Sequence, residues 1–129
     1  MYSEKVMEHF MKPRNAWYMP NPDGIGTAGD TGCGDNFKMF IQVRQNIISN
    51  ISFLVFGCGA AIACGSVTTI LARGKSIEEA LKITEQDVVE TLDGLPEIKR
   101  HCSNLGVGAL HAAISDYMSK QGKELEKQG

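Results

Sequence analysis

Charge of one sign and long apolar runs are both scarce in this chain of 129 residues. Thirteen basic against fifteen acidic residues leave a formal net charge of -2, which gives no electrostatic reason to expect nucleic acid or an anionic membrane as a partner. No stretch approaches the roughly 20 apolar residues of a membrane span. Residues 1–10 mix Glu4, Lys5 and Glu8 with apolar positions, so they carry neither the apolar centre of a signal peptide nor the Arg-rich bias of a transit peptide. A reducing cytoplasm is the expected compartment. There is no pair of Cys-x-x-Cys knuckles, which speaks against a zinc ribbon or a thioredoxin-type redox motif. No Gly-Lys-Ser/Thr follows the glycines between 24 and 34, so nucleotide chemistry is not supported. The four cysteines are then metal ligands, reactive thiols or core residues sooner than disulfides.

The length suits one domain with a single core. Val6, Met7, Phe10 and Met11 mark one face of a short helix that Pro13 stops. Residues 13–35, with three prolines and five glycines, read as a mobile loop holding one short strand near Ile25. Phe37, Met39, Ile41 and Val43 alternate with Lys38, Phe40 and Gln42, the period of a half-buried strand. The apolar run 47–56 follows through Arg44-Gln45-Asn46 and completes an antiparallel hairpin.

From Gly59 the pattern turns helical up to Arg73-Gly74, a basic last turn with a glycine stop. Ser76 with Glu79 forms a capping box for a next helix, and Thr84 caps another that ends before Gly94-Leu95-Pro96. A final helix is expected over about 103–118, followed by a polar, frayed tail at 120–129. Strands precede helices, so the fold class is α+β: a small antiparallel sheet of about three strands with helices packed on it. The domain is expected to span residues 1–119.

Three thiols stand in distinctive company: Cys33-Gly34-Asp35, Gly57-Cys58-Gly59 and His101-Cys102-Ser103. Extended backbone points Cys33 and Asp35 the same way, so a thiolate and a carboxylate could address one ion. Cys58 falls where a strand gives way to a helix, between glycines that leave space beside the sulfur, and a helix N-terminus there favours thiolate. His101 and Cys102 sit at the start of the last helix. Each site lies at the end of an element, where a scaffold can gather ligands at one rim. Packing thiols and a metal site remain alternatives on this evidence, because a buried cysteine is often a small hydrophobe. Cys64, six residues after Cys58 among alanines, is turned off its face and reads as packing. His9 and His111 have no ligand spacing and read as surface or packing residues.

At these residues the chain resembles the IscU/NifU-type iron-sulfur cluster assembly scaffolds. The matching blocks are Tyr2-Ser3-Glu4-Lys5-Val6-Met7-Glu8-His9-Phe10, Pro13-Arg14-Asn15, Cys33-Gly34-Asp35, the run from Phe56 to Ala63, and Leu95-Pro96-x-x-Lys99-x-His101-Cys102-Ser103. The resemblance implies Cys33, Cys58 and Cys102 as scaffold cysteines, Asp35 as a carboxylate that ligates or tunes the cluster and His101 as the alternative fourth ligand. It also implies Leu95, Pro96 and Lys99 as a segment read by an Hsp70-type chaperone with its co-chaperone. Here Glu97 and Ile98 replace the usual Pro and Val.

The implied activity is assembly of a [2Fe-2S] cluster. Sulfur would come from a cysteine desulfurase and iron from a separate supply, with transfer to apo acceptor proteins and a homodimer when loaded. Zn2+ or Fe2+ would occupy the cluster-free form. Cys102, flanked by Lys99 and Arg100, is the expected persulfide acceptor, since adjacent cations favour thiolate. The alternative function is a zinc-dependent sulfurtransferase of the SufU kind.

Overall fold

The computed structural model describes residues 2–29 and 34–128, with side chains described through residue 121. Cys33 therefore lies outside the described residues. Helix α1, Glu4–Met11, is capped by Ser3, whose hydroxyl accepts from Val6 N, the arrangement that satisfies an orphan amide of the first turn. Three strands follow: β1 Gly24–Gly29, β2 Asn36–Arg44 and β3 Ile47–Phe56. They form one antiparallel sheet in the order β1-β2-β3. The β2–β3 turn places both Gln45 and Asn46 at positive φ, 52° and 65°, the left-handed pair that a two-residue hairpin requires.

Helix α2, Gly59–Ala72, is the central element, buried at Ala60, Ala61, Ala63, Cys64 and on through Thr69. The expected capping box is present on α3, Ile77–Leu81, and Thr84 caps α4, Glu85–Thr91, as expected, with Asp87 completing a second box. A 3-10 turn, Glu97–Lys99, runs directly into α5, Arg100–Gln128. That last helix is longer at both ends than the expected 103–118. Nothing in the polar residues after Met118 breaks a helix, since neither proline nor a glycine pair occurs there. No helix among the described residues is long and apolar enough to cross a membrane.

The main core lies between the sheet and the helices α2 and α5, with Phe37, Met39, Ile41, Ile51 and Phe53 of the sheet almost fully buried. Phe40 departs from the expected alternation and is also buried. The segment between α1 and β1 accounts for this: the Tyr18 ring meets Phe40 edge-on at 5.5 Å, Asn15 O accepts from Phe53 N, and Met19 is buried outside the main cluster. So the loop of residues 13–23 closes part of the second face of the sheet.

β1 is built from glycine because α5 lies against its backbone. A Cβ at Gly26 would overlap the main chain of Ala109, Ala112 and Ala113, and one at Gly24 would overlap Ala113 O. The sequence shows only a short strand near Ile25 within a loop-like stretch, for the same reason that β1 packs: it has few side chains. Gly26→Ala is expected to destabilise the fold by about 3 kcal/mol, because backbone cannot yield as a side chain does; the midpoint of urea unfolding checks it. Ser52 is fully buried, and its hydroxyl has no hydrogen-bond partner among the described residues. Ser52→Ala should raise stability by about 1 kcal/mol by removing an unsatisfied polar group, read from the same unfolding curves.

Candidate metal centre

The strand register begins the site. Asn36 at the start of β2 pairs with Phe56 at the end of β3, so the residues next outward, Asp35 and Gly57, come together. A Cβ at Gly57 would overlap the Asp35 carboxylate; only glycine there lets the carboxylate reach across toward the next residue. That residue is Cys58, the N-cap of α2, extended at φ -79° and ψ 174°. α5 runs antiparallel to β1, with Tyr117 and Ala113 near Gly24, and Gly108 near Ala28. Its first turn, carrying His101 and Cys102, therefore projects past the end of β1 onto Asp35.

The result is a compact donor set. The ligand atoms of Asp35, Cys58 and Cys102 all lie within 4.8 Å of one another. Cys58 Sγ and Cys102 Sγ are 3.8 Å apart, far beyond the roughly 2.05 Å of a disulfide, and both are free thiols. The Cys102 thiol donates to Asp35 Oδ2 at 3.4 Å. His101 Nε2 adjoins the set, 3.3 Å from Asp35 Oδ2 and 3.6 Å from Cys102 Sγ. The other ring nitrogen, Nδ1, donates a hydrogen bond to the Ile98 carbonyl at 3.1 Å, which fixes the ring so that Nε2 faces inward.

The separations among the two thiols and the carboxylate suit a shared ion. With metal–sulfur bonds of about 2.3 Å and metal–oxygen bonds of about 2.1 Å, tetrahedral edges are roughly 3.8 Å for S···S and 3.6 Å for S···O. The observed 3.8 Å and 3.4 Å follow that series, while His101 adjoins Asp35 and Cys102 and stands outside the three ligand atoms that lie within 4.8 Å of one another. Soft thiolates with one carboxylate and one imidazole fit iron or zinc and are poor ligands for magnesium or calcium.

Electrostatics here run against the local reading of Cys102. It is fully buried, and its thiol is pushed well up, first by burial, then by the neighbouring Cys58, then by its hydrogen bond to Asp35. Lys99 and Arg100 are adjacent in sequence, but the thiol points into the core, away from the water that would solvate its anion. Cys64 behaves as the sequence suggests, fully buried and raised to about 12, chiefly by burial.

Cys58 is half-buried and lines an open cleft of about 480 Å³ with Gly34, Asp35, Val55, Phe56, Gly57 and Lys99. The Lys99 ammonium is favoured above its usual range, first by Cys58, then by Tyr2 and, more weakly, by Cys102 and Asp35. The fold turns Lys99 toward the thiols. The Ile98 carbonyl that orients His101 is invisible in a sequence because any residue carries one. Leu95 is buried, and Pro96 half-buried, while Ile98 is 80% exposed. Phe56, equally exposed, adds an apolar surface to the cleft that Lys99 also lines.

Comparison with known proteins places this geometry among relatives. Residues 1–124 match the family model described as the NifU-like N terminal domain. The iron-sulfur cluster assembly scaffold protein IscU 1 of Archaeoglobus fulgidus is 53% identical over 123 residues, covering 95% of this chain and 80% of that protein. The scaffold protein IscU of Escherichia coli strain K12 is 44% identical over 124 residues, covering 93% and 96%. The N-terminal part of a NifU-like protein from Brucella abortus superposes with a TM-score of 0.77 at 15% identity, over 91% of this chain and 94% of that one. A putative SUF-system scaffold from Fervidobacterium islandicum gives 0.72 at 19%, over 88% and 96%. These two structures share the fold. The α+β architecture, the sequence identities and the family model agree: this chain belongs to the NifU-like N-terminal domain family.

Proposed function

We propose that this chain is a scaffold on which an iron-sulfur cluster is assembled and from which it is passed on. The observation that carries the reading is the convergence of Asp35, Cys58 and Cys102 from three distant elements, with ligand atoms within 4.8 Å, in a chain whose relatives are named scaffolds for that assembly. The cluster is cargo. A [2Fe-2S] unit would be held by Cys33, Cys58 and Cys102, with Asp35 or His101 in the fourth position; Cys33 enters from its motif alone. Carboxylate and imidazole are less committed partners for iron than a fourth thiolate. Exchanging Asp35 for neutral His101 removes one negative charge from the loaded site, and the two groups stand 3.3 Å apart.

The scaffold role calls for a sulfur donor and cluster acceptors. We assign the donor to a cysteine desulfurase, the sulfur-accepting chemistry to the Cys58–Cys102 pair and the compartment to a reducing cytoplasm, where such thiols stay free. Leu95, Pro96 and Lys99 remain the segment offered to an Hsp70-type chaperone and co-chaperone. Because Leu95 is buried, its recognition requires local opening of the turn before α5. The open cleft would also let two loaded copies meet over one cluster.

In the cluster-free form the same ligands suit Zn2+ or Fe2+. A resting zinc ion that must stay in place during sulfur transfer would mark the sulfurtransferase alternative, and metal analysis with visible absorption after anaerobic purification separates the two.

Anaerobic reconstitution with Fe2+ and inorganic sulfide should give the charge-transfer absorption of a cluster in the wild type. Cys58→Ser and Cys102→Ser should lose most of it. Asp35→Ala should keep the cluster and slow its transfer to an apo acceptor severalfold; an unchanged transfer rate removes Asp35 from release.

Since the raised Cys102 thiol is protonated at neutral pH, an ion must displace that proton. Zn2+ affinity should therefore climb with pH, by about tenfold per pH unit for each proton displaced. Calorimetry in buffers of different ionisation enthalpy should report the proton release.

A further inference from the structure

The two neighbouring thiols of the site differ in one respect that bears on how sulfur arrives. Cys58 is half-buried and lines the cleft with Lys99 and Phe56. Cys102 is fully buried, 3.8 Å from Cys58 Sγ. A persulfide carried by a donor protein or a small molecule meets Cys58 at the cleft wall, while Cys102 is closed to it. Cys102 nevertheless sits at the centre of the donor set, touching Asp35, His101 and Cys58.

From this arrangement we infer that Cys58 and Cys102 form a persulfide relay, in which Cys58 takes sulfane sulfur from the donor at the cleft and hands it inward to Cys102. The inference rests on the scaffold reading above and adds an order of transfer to it.

The chemistry balances without an oxidant or reductant. In the first step the Cys58 sulfur attacks the terminal sulfur of the donor persulfide. The donor S–S bond breaks as the Cys58 persulfide forms, and the donor leaves as a thiolate that takes up the Cys58 proton. In the second step Cys102 Sγ attacks the terminal sulfur now on Cys58. That S–S bond breaks as the Cys102 persulfide forms, and the sulfane sulfur keeps its oxidation state. The proton leaving Cys102 goes to Asp35 Oδ2, the acceptor it already faces at 3.4 Å, and returns to the released Cys58 sulfur.

Geometry favours the inward step. An S–S bond is about 2.05 Å, so a sulfane sulfur on Cys58 directed at Cys102 crosses most of the separation by its own bond length. Lys99 places a cation on the cleft wall beside Cys58, suited to an anionic persulfide on arrival and to the Cys58 thiolate on departure.

The test uses the full chain, stripped of metal with a chelator and exposed anaerobically to glutathione persulfide. Samples are alkylated at successive times and each thiol is read by peptide mass spectrometry. In the wild type, sulfane sulfur should appear first on Cys58 and then on Cys102. Cys102→Ser should accumulate it on Cys58. Cys58→Ser and Cys58→Ala should slow loading of Cys102 by at least about tenfold, as expected for a thiol without access.

Loading of Cys102 at the wild-type rate in both Cys58 variants would overturn the relay. So would first appearance on Cys33 or Cys64, or release of sulfide with a Cys58–Cys102 disulfide, which places the attack on the inner sulfur. The labelling order in the unmutated protein decides the matter even if a variant unfolds. Absence of persulfide from every thiol also overturns the relay, whereas failure of reconstitution from Fe2+ and inorganic sulfide, which bypasses persulfide, counts against the scaffold reading itself.

Discussion

The position of the site depends on the contact between the bare backbone of β1 and the last helix. Gly24 and Gly26 lie directly under the main chain of residues 109–113, so the separation of strand and helix is set by backbone atoms with no intervening side chain. Close packing of this kind has no slack to absorb a shift. Since α5 is one continuous helix, fixing its middle fixes its first turn, where His101 and Cys102 meet Asp35. The other half of the site is fixed by sheet register, which makes Asp35 and Gly57 neighbours through the Asn36–Phe56 pair. A slip of one residue in that register would turn β2 and β3 over and remove the carboxylate from the thiols.

Elements whose signals are local were legible in the sequence. The β2–β3 hairpin, the capping box at Ser76, the Thr84 cap and the apolar helix after Cys58 follow from periodicity and cap chemistry that reach only a few residues. β1 was half legible: glycine and proline density around Ile25 resembles a loop, and the close approach of α5 that explains those glycines is a long-range fact. Phe40 shows the same limit from the other side. Its strand predicts exposure, and only the chain crossing near Tyr18 and Met19 buries it.

The candidate site divides in the same way. The candidates could be read from three tripeptides, because the pairing of thiol with carboxylate, glycine or imidazole is chemical and local; of them Asp35, Cys58, His101 and Cys102 lie together, and Cys33 falls outside the described residues. Their distances, the burial of Cys102 and the Ile98 carbonyl behind His101 could not be read. Lys99 and Arg100 do not favour the Cys102 thiolate as their closeness in sequence suggests: proximity along the chain says nothing of direction, and α5 turns the thiol inward while the cations remain nearer water. Burial then outweighs the neighbouring charges. The same turn brings Lys99 to the more open thiol, Cys58.

The long sequence separations within the site bear on when it exists. Asp35 and Cys102 touch across 67 positions, and their meeting waits on the docking of α5. Contacts of such separation form late, and during synthesis the N-terminal part of a chain emerges first. While residues 100–117 are still unmade, Asp35 and Cys58 can be in place with no Cys102 beside them, and the chain offers iron only a fragment of its ligands. The joined donor set of Asp35, Cys58 and Cys102 is thus a property of the completed fold, and a chain that stops before the last helix cannot form it.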